Sequence, residues 1–333
     1  MKTTILIDGN GLLNNSYFSL KSALTKEKLH LSDKAYLKVF LNKLRFYADK
    51  AVEYNSDKEL DILLILDSPN SWRKEFFTDY KFKRSIFKTK DDEKEKLIFI
   101  EKLKNIKKTL KEIMPLPIIA CDNCEGDDII ATYVFLSKKK KLDENIIIYS
   151  SDKDFVQLQR YPKITQYSFF DGKRLYEEDP ELFLTKQIIT GDASDCIPNI
   201  YSEDTFLRTA MEPLTHTRQK SIRNTFLDRE IFNDYYFQKV SELKKLKKRL
   251  DPADLPFFNL PENEMLKKNL IRNQKLIDFS KIPKEIFTRI TDAFLNVTYP
   301  EFEPFRNYCL VNKIFEDDIS QANIFKRETL WKI

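Results

Sequence analysis

Four short apolar runs, separated by segments with helical spacing, constrain the fold of this chain more than any other feature. Three of them are runs of the Ile/Leu/Val type without polar alternation, as in parallel strands that are covered on both faces. Strands that alternate with helices predict an α/β fold with a parallel-type central sheet and flanking helices. The predicted strands are Thr4–Ile7, Ile62–Leu66, Pro117–Ala120 and Ile146–Tyr149.

The predicted helices show apolar residues at intervals of three and four, which is typical of one buried helix face. After about residue 190 we expect no further buried strand, because helical patterns and prolines dominate there. We therefore predict an α/β domain over residues 1–190, followed by a mainly helical C-terminal region over residues 191–333. The helical patterns lie at 37–48, 99–113, 130–134, 217–247 and 283–294.

Acidic residues follow each of the four predicted strands. In an open parallel sheet, ligands bind beyond the carboxyl ends of the strands, so these acids are expected at one edge of the sheet. A single Asp after a strand is usually a turn or capping residue, but four strands with acids at the same end are harder to attribute to turns. The acids are Asp8, Asp67, Glu125, Asp127, Asp128, Asp152 and Asp154, and a last pair, Asp192 and Asp195, lies in GDASD.

Such a cluster of carboxylates indicates divalent cations. Neighbouring carboxylates raise one another's pKa values, and a cation among them relieves the repulsion. Sites made only of oxygen ligands suit Mg²⁺ or Mn²⁺. Two ions about 4 Å apart can activate a water molecule and stabilise the leaving oxygen of a phosphodiester. We therefore expect two Mg²⁺ ions, with Mn²⁺ as a substitute.

The segment WRKEFFTDYKFKRS, at 72–85, interleaves cations with aromatic rings. Cations contact phosphates and rings stack on bases, so this composition predicts nucleic-acid binding. An amphipathic surface helix is the alternative interpretation. The net charge of +5 is only a weak indication of a polyanionic partner.

The remaining composition narrows the chemistry and the compartment. The two histidines, His30 and His216, lie near no obvious nucleophile or ligand cluster, so a histidine base or histidine-bound zinc is not expected. Four cysteines do not make a disulfide framework in a chain of 333 residues, and we expect Cys121 and Cys124 to be reduced thiols. No apolar run approaches the roughly 18 residues of a membrane span, so we expect a cytoplasmic protein.

Five motifs follow one another across residues 5–200: LIDGN, LILDSPNSWR with YKFKR, EGDD, SSDKDFVQL and GDASDCIPN. In their order and spacing they resemble those of the 5′-nuclease family, which includes flap endonucleases and the 5′-exonuclease domain of bacterial DNA polymerase. The most similar subgroup is the ribonuclease H of T-even phages. One departure is YSEDTFLRTA, which lacks the glycines with which most of the family binds duplex phosphates and a monovalent ion.

The resemblance implies a role for each matching residue. Asp8, Asp67, Glu125, Asp127 and Asp152 would hold the first metal, with Asp128 in the same motif. Asp154, Asp192 and Asp195 would serve the second metal. Lys81 and Arg84 would act catalytically on the scissile phosphate, at the base of an arch formed by about 82–112, whose charged part, 88–96, we expect to be mobile. Further nucleic-acid contacts would come from Arg73, Tyr80, Lys83, Arg218, Lys220 and Arg223.

The family further implies a monomeric 5′–3′ exonuclease and flap endonuclease with ribonuclease H activity, acting in phage DNA replication to remove RNA primers. Its partners would be forked, flapped or nicked DNA and RNA–DNA hybrids, with a single-strand-binding protein or a sliding clamp as candidate protein partners. The host cytoplasm would be its location.

Two other functions stay open. A ribonuclease of the PIN type would share the acidic cluster, although an insertion of arch length and a helical C-terminal third argue against it. A non-catalytic, structure-specific DNA-binding protein would gain nothing from so many carboxylates near phosphate. Cleavage in Mg²⁺ would distinguish a nuclease, of the 5′-nuclease or the PIN type, from a non-catalytic DNA-binding protein.

Overall fold

The computed structural model describes residues 2–27, 31–54, 59–86, 89–200, 202–205, 207, 264–315 and 319–325. The predicted helix at 217–247 and the predicted duplex contacts Arg218, Lys220 and Arg223 lie outside the described residues. Within the described part of the chain, no helix has the length and apolarity needed to cross a membrane.

A six-stranded sheet with the order β3-β2-β1-β4-β5-β6 is the centre of the fold. All neighbouring strands are parallel except the β5–β6 pair. The α/β prediction and its four strands are confirmed, and β5 and β6 are additional. The strands are β1 Lys2–Asp8, β2 Leu60–Ile65, β3 Ile118–Ile119, β4 Glu144–Tyr149, β5 Ile164–Tyr167 and β6 Arg174–Leu175.

Helices alternate with the strands along the chain and continue into its C-terminal part. The α-helices are α1 Gly9–Glu27, α2 Asp33–Tyr54, α3 Trp72–Phe76, α4 Lys90–Ile113, α5 Gly126–Lys139, α6 Pro180–Thr190, α7 Glu264–Ile277, α8 Lys284–Leu295 and α9 Phe302–Asn312. Short 3₁₀ helices cover Phe82–Ser85, Lys153–Arg160, Phe279–Lys281 and Ile319–Phe325.

The chain forms two compact units. The sheet unit consists of residues 1–71, 87–176 and 284–333, and the helical unit consists of residues 72–86 and 177–283. This division does not coincide with the predicted boundary at residue 190. In the sheet unit α8 packs against α5, and Phe305 of α9 belongs to the same core as the strands. As a division of function, the two predicted domains stay a prediction.

Helix α4 begins earlier than its apolar spacing indicates. The pattern predicts a helix from residue 99 and a mobile charged segment at 88–96, but the structure starts the helix at Lys90. Thr89 and Asp92 form a capping box in which each side chain accepts a hydrogen bond from the other residue's backbone N–H, at 3.1 Å in both cases. These bonds satisfy N–H groups that a frayed end would leave to water.

In the helical unit, polar side chains of α7 bind backbone carbonyls of residues 188–200. The Asn273 side chain is fully buried and donates to the carbonyls of Ile188 and Pro198, both at 2.8 Å. Arg272 donates to the same Pro198 carbonyl at 2.9 Å and forms an ion pair with Asp204 at 2.5 Å. Helix α7 therefore fixes the segment that carries Asp192 and Asp195.

Replacing Asn273 with alanine should lower the free energy of unfolding by about 3 kcal/mol, because the buried Ile188 carbonyl loses the Asn273 donor and the buried Arg272 Nε loses its acceptor, the Asn273 Oδ1 atom. The measurement is urea unfolding followed by circular dichroism. The matched control is Asn296→Ala, which removes a similar side-chain bond to the Asp292 carbonyl, at 2.8 Å, from an exposed residue. It should cost less than about 0.5 kcal/mol. Equal losses of unfolding free energy in the two variants would contradict the stabilising role assigned to the Asn273 side chain.

Candidate active site

Three carboxylates follow adjacent strands at the carboxyl edge of the sheet. Asp8 is the last residue of β1, Asp67 comes two residues after β2, and Asp152 comes three residues after β4. Asp154 lies in the 3₁₀ helix that follows, where its N–H donates to Asp152 Oδ1 at 2.9 Å. The sheet order β2-β1-β4 places the end of β1 between the other two strand ends.

Asp8 is oriented by hydrogen bonds to both of its carboxylate oxygens. Its Oδ1 accepts a bond from the Gly11 N–H at 2.7 Å, and its Oδ2 accepts one from the Ser150 hydroxyl at 2.8 Å. A Cβ atom at position 11 would lie 2.3 Å from Asp8 Oδ2, so only glycine fits there. Burial, and then the charges of Asp67 and Asp152, raise the pKa of Asp8 to about 7.

This raised pKa predicts a pH-dependent stability of the metal-free protein. The unfolded Asp8 titrates near 3.8 and the folded one near 7, so the folded state binds the proton more tightly and loses stability as pH rises between those values. Asp8→Asn removes this penalty and should raise the unfolding free energy above pH 7 by at most about 4 kcal/mol. Thermal unfolding in EDTA from pH 4 to 8 checks this. An unchanged pH profile in the variant would contradict it.

Asp67 is held by the N-terminus of helix α5. Its Oδ1 accepts from the Gly126 N–H at 2.7 Å, and its other oxygen accepts from the Asn10 amide. A Cβ at position 126 would lie 2.9 Å from Asp67 Oδ1, which explains the glycine of EGDD. Glu125 is the N-cap residue of α5, and Asp127 lies half-buried in its first turn.

Asp128, predicted as a metal ligand, has another role in the structure. Its side chain is fully buried and accepts from the Glu125 N–H at 3.0 Å, while the Glu125 side chain accepts from the Asp128 N–H. The two residues form a capping box, which satisfies donors at the start of a helix. Because Asp128 is buried in this cap, we leave it out of the proposed metal ligands.

Lys107 of α4 is a charged neighbour of the site that the sequence did not single out. Its Nζ donates to the Asp67 carbonyl oxygen at 3.3 Å, and its charge also interacts with Asp8. Burial lowers the pKa of Lys107, whereas the two aspartates oppose that shift. Its sequence context, one lysine among several on α4, carries no signal that distinguishes it.

The donor set of the sheet unit fits a hard divalent cation. All its candidate ligands are carboxylate oxygens, and the pKa of Asp8, raised first by burial and then by the charges of Asp67 and Asp152, would be lowered by a bound cation. Among the described residues, no group of three or more Asp, Glu, His or Cys side chains is already arranged to hold a metal ion. The four cysteines are buried and form no disulfide.

In the helical unit, Asp195 is the centre of a cluster of cationic and hydroxyl groups. It accepts from the Tyr80 hydroxyl at 3.0 Å and from Arg84 at 3.1 Å, and Lys81 Nζ lies 3.7 Å from it. The Lys81 N–H also donates to the Asp195 carbonyl at 2.8 Å. Lys81 has a φ of 55°, a conformation that is strained for a residue other than glycine and often found at functional sites.

Asp192 lies in the same segment as Asp195 and orders it. Its Oδ1 accepts from the Ser194 N–H at 2.7 Å and from the Ser194 hydroxyl at 2.6 Å. Its backbone pairs with Ile197 through two hydrogen bonds of 2.7 and 2.9 Å. Asp192 and Asp195 are therefore held on one turn.

Two predicted nucleic-acid contacts are wrong. Arg73 is buried and its Nε donates to the Leu276 carbonyl at 2.9 Å, so its guanidinium serves the interior of the helical unit. Tyr80 is also buried, with its hydroxyl on Asp195. Trp72 and Phe77 are buried as well, so these rings of segment 72–85 form core rather than a stacking surface. Lys83 is half-buried and stays a predicted contact.

Comparison with known proteins finds one family and several relatives. A family model described as the 5′-3′ exonuclease N-terminal resolvase-like domain matches residues 3–187. The chain is 28% identical over 303 residues to ribonuclease H of Enterobacteria phage T4, covering 88% of each protein. It is 28% identical over 162 residues to a 5′-3′ exonuclease of Mycoplasma pneumoniae, covering 47% of this chain and 49% of the relative.

Solved structures have the same fold. A bacteriophage T5 flap endonuclease, in a pseudo-enzyme–product complex with DNA and metal ions, has a TM-score of 0.53 at 17% identity and covers 89% of this chain and 98% of its own. The T5 5′-exonuclease with bound zinc has a TM-score of 0.52 at 18% identity and covers 89% and 99%. At these identities the likeness establishes the fold alone.

Proposed function

This chain belongs to the 5′-3′ exonuclease family, and we propose that it is a Mg²⁺-dependent 5′–3′ exonuclease and flap endonuclease that hydrolyses phosphodiesters of DNA and of RNA–DNA hybrids. The observation that carries the proposal is the group of carboxylates after adjacent strands, with the pKa of Asp8 raised beside Asp67 and Asp152. Such a group of carboxylates can support phosphodiester hydrolysis when divalent cations and the substrate phosphate bind there.

Two Mg²⁺ ions, when bound, would supply an activated water and stabilise the leaving oxygen. The chain's own residues orient their ligands: Gly11 and Ser150 hold Asp8, and Gly126 holds Asp67. The proposed ligands in the sheet unit are Asp8, Asp67, Glu125, Asp127 and Asp152 for one ion and Asp154 for the waters of the other. The second-metal roles of Asp192 and Asp195, in the helical unit, stay predictions from the resemblance.

Lys81 and Arg84 would stabilise the negative charge that develops on the scissile phosphate. In the free protein both lie on Asp195, so their charge is compensated before substrate arrives. We propose that the phosphate takes the place of Asp195 as the partner of Arg84, whose side chain is largely exposed.

The named relatives support a proposal for the finer biological role. The phage T4 relative is a ribonuclease H, which supports an action on the RNA strand of hybrids and, for this chain, the removal of RNA primers during phage DNA replication. Forked, flapped or nicked DNA is the proposed partner, in keeping with the T5 structure that contains DNA. A single-strand-binding protein or a sliding clamp stays a proposed protein partner.

One assay tests this function. End-labelled nicked, flapped and RNA–DNA hybrid duplexes are incubated with the protein in Mg²⁺, in Mn²⁺ and in EDTA, and the products are sized on a denaturing gel. We expect short products or released flaps from the 5′ end in Mg²⁺ and in Mn²⁺, and no cleavage in EDTA. Cleavage within single-stranded RNA without any need of a 5′ end would favour the PIN-type ribonuclease. Tight binding to forks without cleavage would favour the DNA-binding protein.

A further inference from the structure

A cleft of about 510 Å³ in the sheet unit extends from the carboxylates to two exposed phenylalanine rings. Asp8 and Asp152 line one part of it, and Phe18 and Phe170 line another. Its volume lies in the range of sites that hold small ligands of nucleotide size. Neither Phe18 nor Phe170 is among the residues that are assigned above to metals or phosphate.

Phe170 is an exposed ring on a well-ordered turn. Its side chain is 80% exposed, yet the turn between β5 and β6 is closed by the Ser168 N–H on the Lys173 carbonyl at 2.9 Å and the Gly172 N–H on the Ser168 carbonyl at 3.1 Å. The Phe170 N–H donates to the Ser168 hydroxyl at 3.1 Å. The ring is therefore presented by fixed backbone, and a partner that covers it would stabilise the complex.

Phe18 presents the second ring from helix α1. It is 57% exposed, and its ring is supported from behind by Tyr17 and by Phe99 of α4, with centroid distances of 5.3 and 5.6 Å. Phe169, in contrast, is buried and packs its ring against Tyr47 at 5.2 Å. Phe18 and Phe170 are thus the rings of the cleft that keep free surface for a ligand.

Polar groups complete the lining. Asn14, Asn15 and Ser19 of α1 face the same cleft. Lys43 of α2 donates to the Asn15 carbonyl at 3.2 Å and to the Ser19 hydroxyl at 2.9 Å, which places a positive charge close to this rim. A ligand with a flat π-face, hydrogen-bonding groups and an anionic end matches this arrangement of aromatic, polar and proposed metal-binding residues along the cleft.

We propose that this cleft binds one unpaired nucleotide next to the scissile phosphate, with its base stacked on Phe18 and Phe170. The inference rests on the proposed function for the position of the phosphate at the carboxylates. An unpaired nucleotide is the occupant because a base inside a duplex has its faces covered by neighbouring base pairs. The stacking needs no particular base, since every base has a π-face.

A cycle of protein and substrate changes tests the inference. Phe18→Ala and Phe170→Ala are each expected to lower kcat/KM on a 5′-flapped duplex about tenfold. An abasic residue beside the scissile phosphate should cause a similar loss in the wild type and make the phenylalanine changes nearly silent, because both remove the same contact. Phe46→Ala, which removes a 50% exposed ring of α2 outside the cleft, is the control and should leave the rate unchanged.

Photo-crosslinking decides the inference without relying on catalysis. The same flapped duplex carries 5-iodouracil at the nucleotide beside the scissile phosphate and is irradiated with the protein in EDTA. Crosslinks mapped to Phe18 or Phe170 by mass spectrometry are expected. Fully additive losses in the cycle, or crosslinks only elsewhere, would overturn the stacking site. A protein that crosslinks there but cuts no strand in Mg²⁺ or Mn²⁺ would retain the site and lose the proposed function.

Discussion

Replacing Asp152 with asparagine is expected to reduce cleavage in Mg²⁺ by about 10³-fold or more, which corresponds to about 4 kcal/mol of activation free energy. The amide keeps the volume and the oxygen that accepts from the Asp154 N–H at 2.9 Å, so the local 3₁₀ helix should persist. What is lost is a negative ligand for the cations that activate water. A cleavage time course on one forked substrate at fixed salt measures the effect.

Binding should respond differently from cleavage. Phosphate contacts from Lys and Arg carry the affinity, and loss of one negative charge near phosphate should leave it equal or slightly higher in a gel-shift titration. Asp49→Asn, which removes one exposed carboxylate from α2, is the matched control and should change neither quantity. If Asp152→Asn cleaves at nearly the wild-type rate, the metal assignment is wrong. If cleavage, affinity and melting temperature all collapse together, Asp152 is structural.

Lys81→Ala and Arg84→Ala should each slow cleavage about 10²-fold or more while weakening substrate binding only slightly. The reason is that both cations would act on charge that grows in the transition state rather than on the bound ground state. Single-turnover rates and dissociation constants on one flapped substrate separate the two effects.

Lys83 provides the comparison for these two variants. It lies between them in sequence, its side chain is half-buried, and its backbone N–H donates to Cys196 Sγ at 3.3 Å. Lys83→Ala should therefore weaken binding without a selective loss of rate. If the Lys81 and Arg84 variants lose as much affinity as rate, these side chains are docking contacts and the proposed catalytic role fails.

The strands were predictable from sequence because parallel strands covered on both faces must be continuously apolar. β5, with the sequence ITQY, was not, because its Gln166 is polar and yet fully buried, with its amide on the Ser150 carbonyl at 3.0 Å. The early start of α4 depended on a capping box rather than on apolar spacing. The local apolar pattern therefore predicts the central strands of the sheet, whereas β5, closer to the edge, depends on buried polar contacts that the pattern does not show.

The acids of the site were predictable because topology brings strand ends to one edge, but their individual roles were not. Asp128 is adjacent to Asp127 in sequence and yet caps a helix. Arg73 has the composition of a phosphate contact and instead bonds the Leu276 carbonyl, 203 residues away. Contacts of such long range, like that of Lys107 with the Asp67 carbonyl, leave no periodic trace in the sequence.

The central claim is that the carboxylates at the carboxyl edge of the sheet hold the divalent cations. The most direct test is anomalous diffraction from crystals of the wild type and of Asp8→Asn soaked in Mn²⁺. We expect a peak about 2.0–2.2 Å from carboxylate oxygens of Asp8, Asp67 or Asp152 in the wild type, and its loss in the variant together with the loss of cleavage. Mn²⁺ bound only elsewhere, in crystals of an enzyme that cleaves in Mn²⁺, would contradict the account.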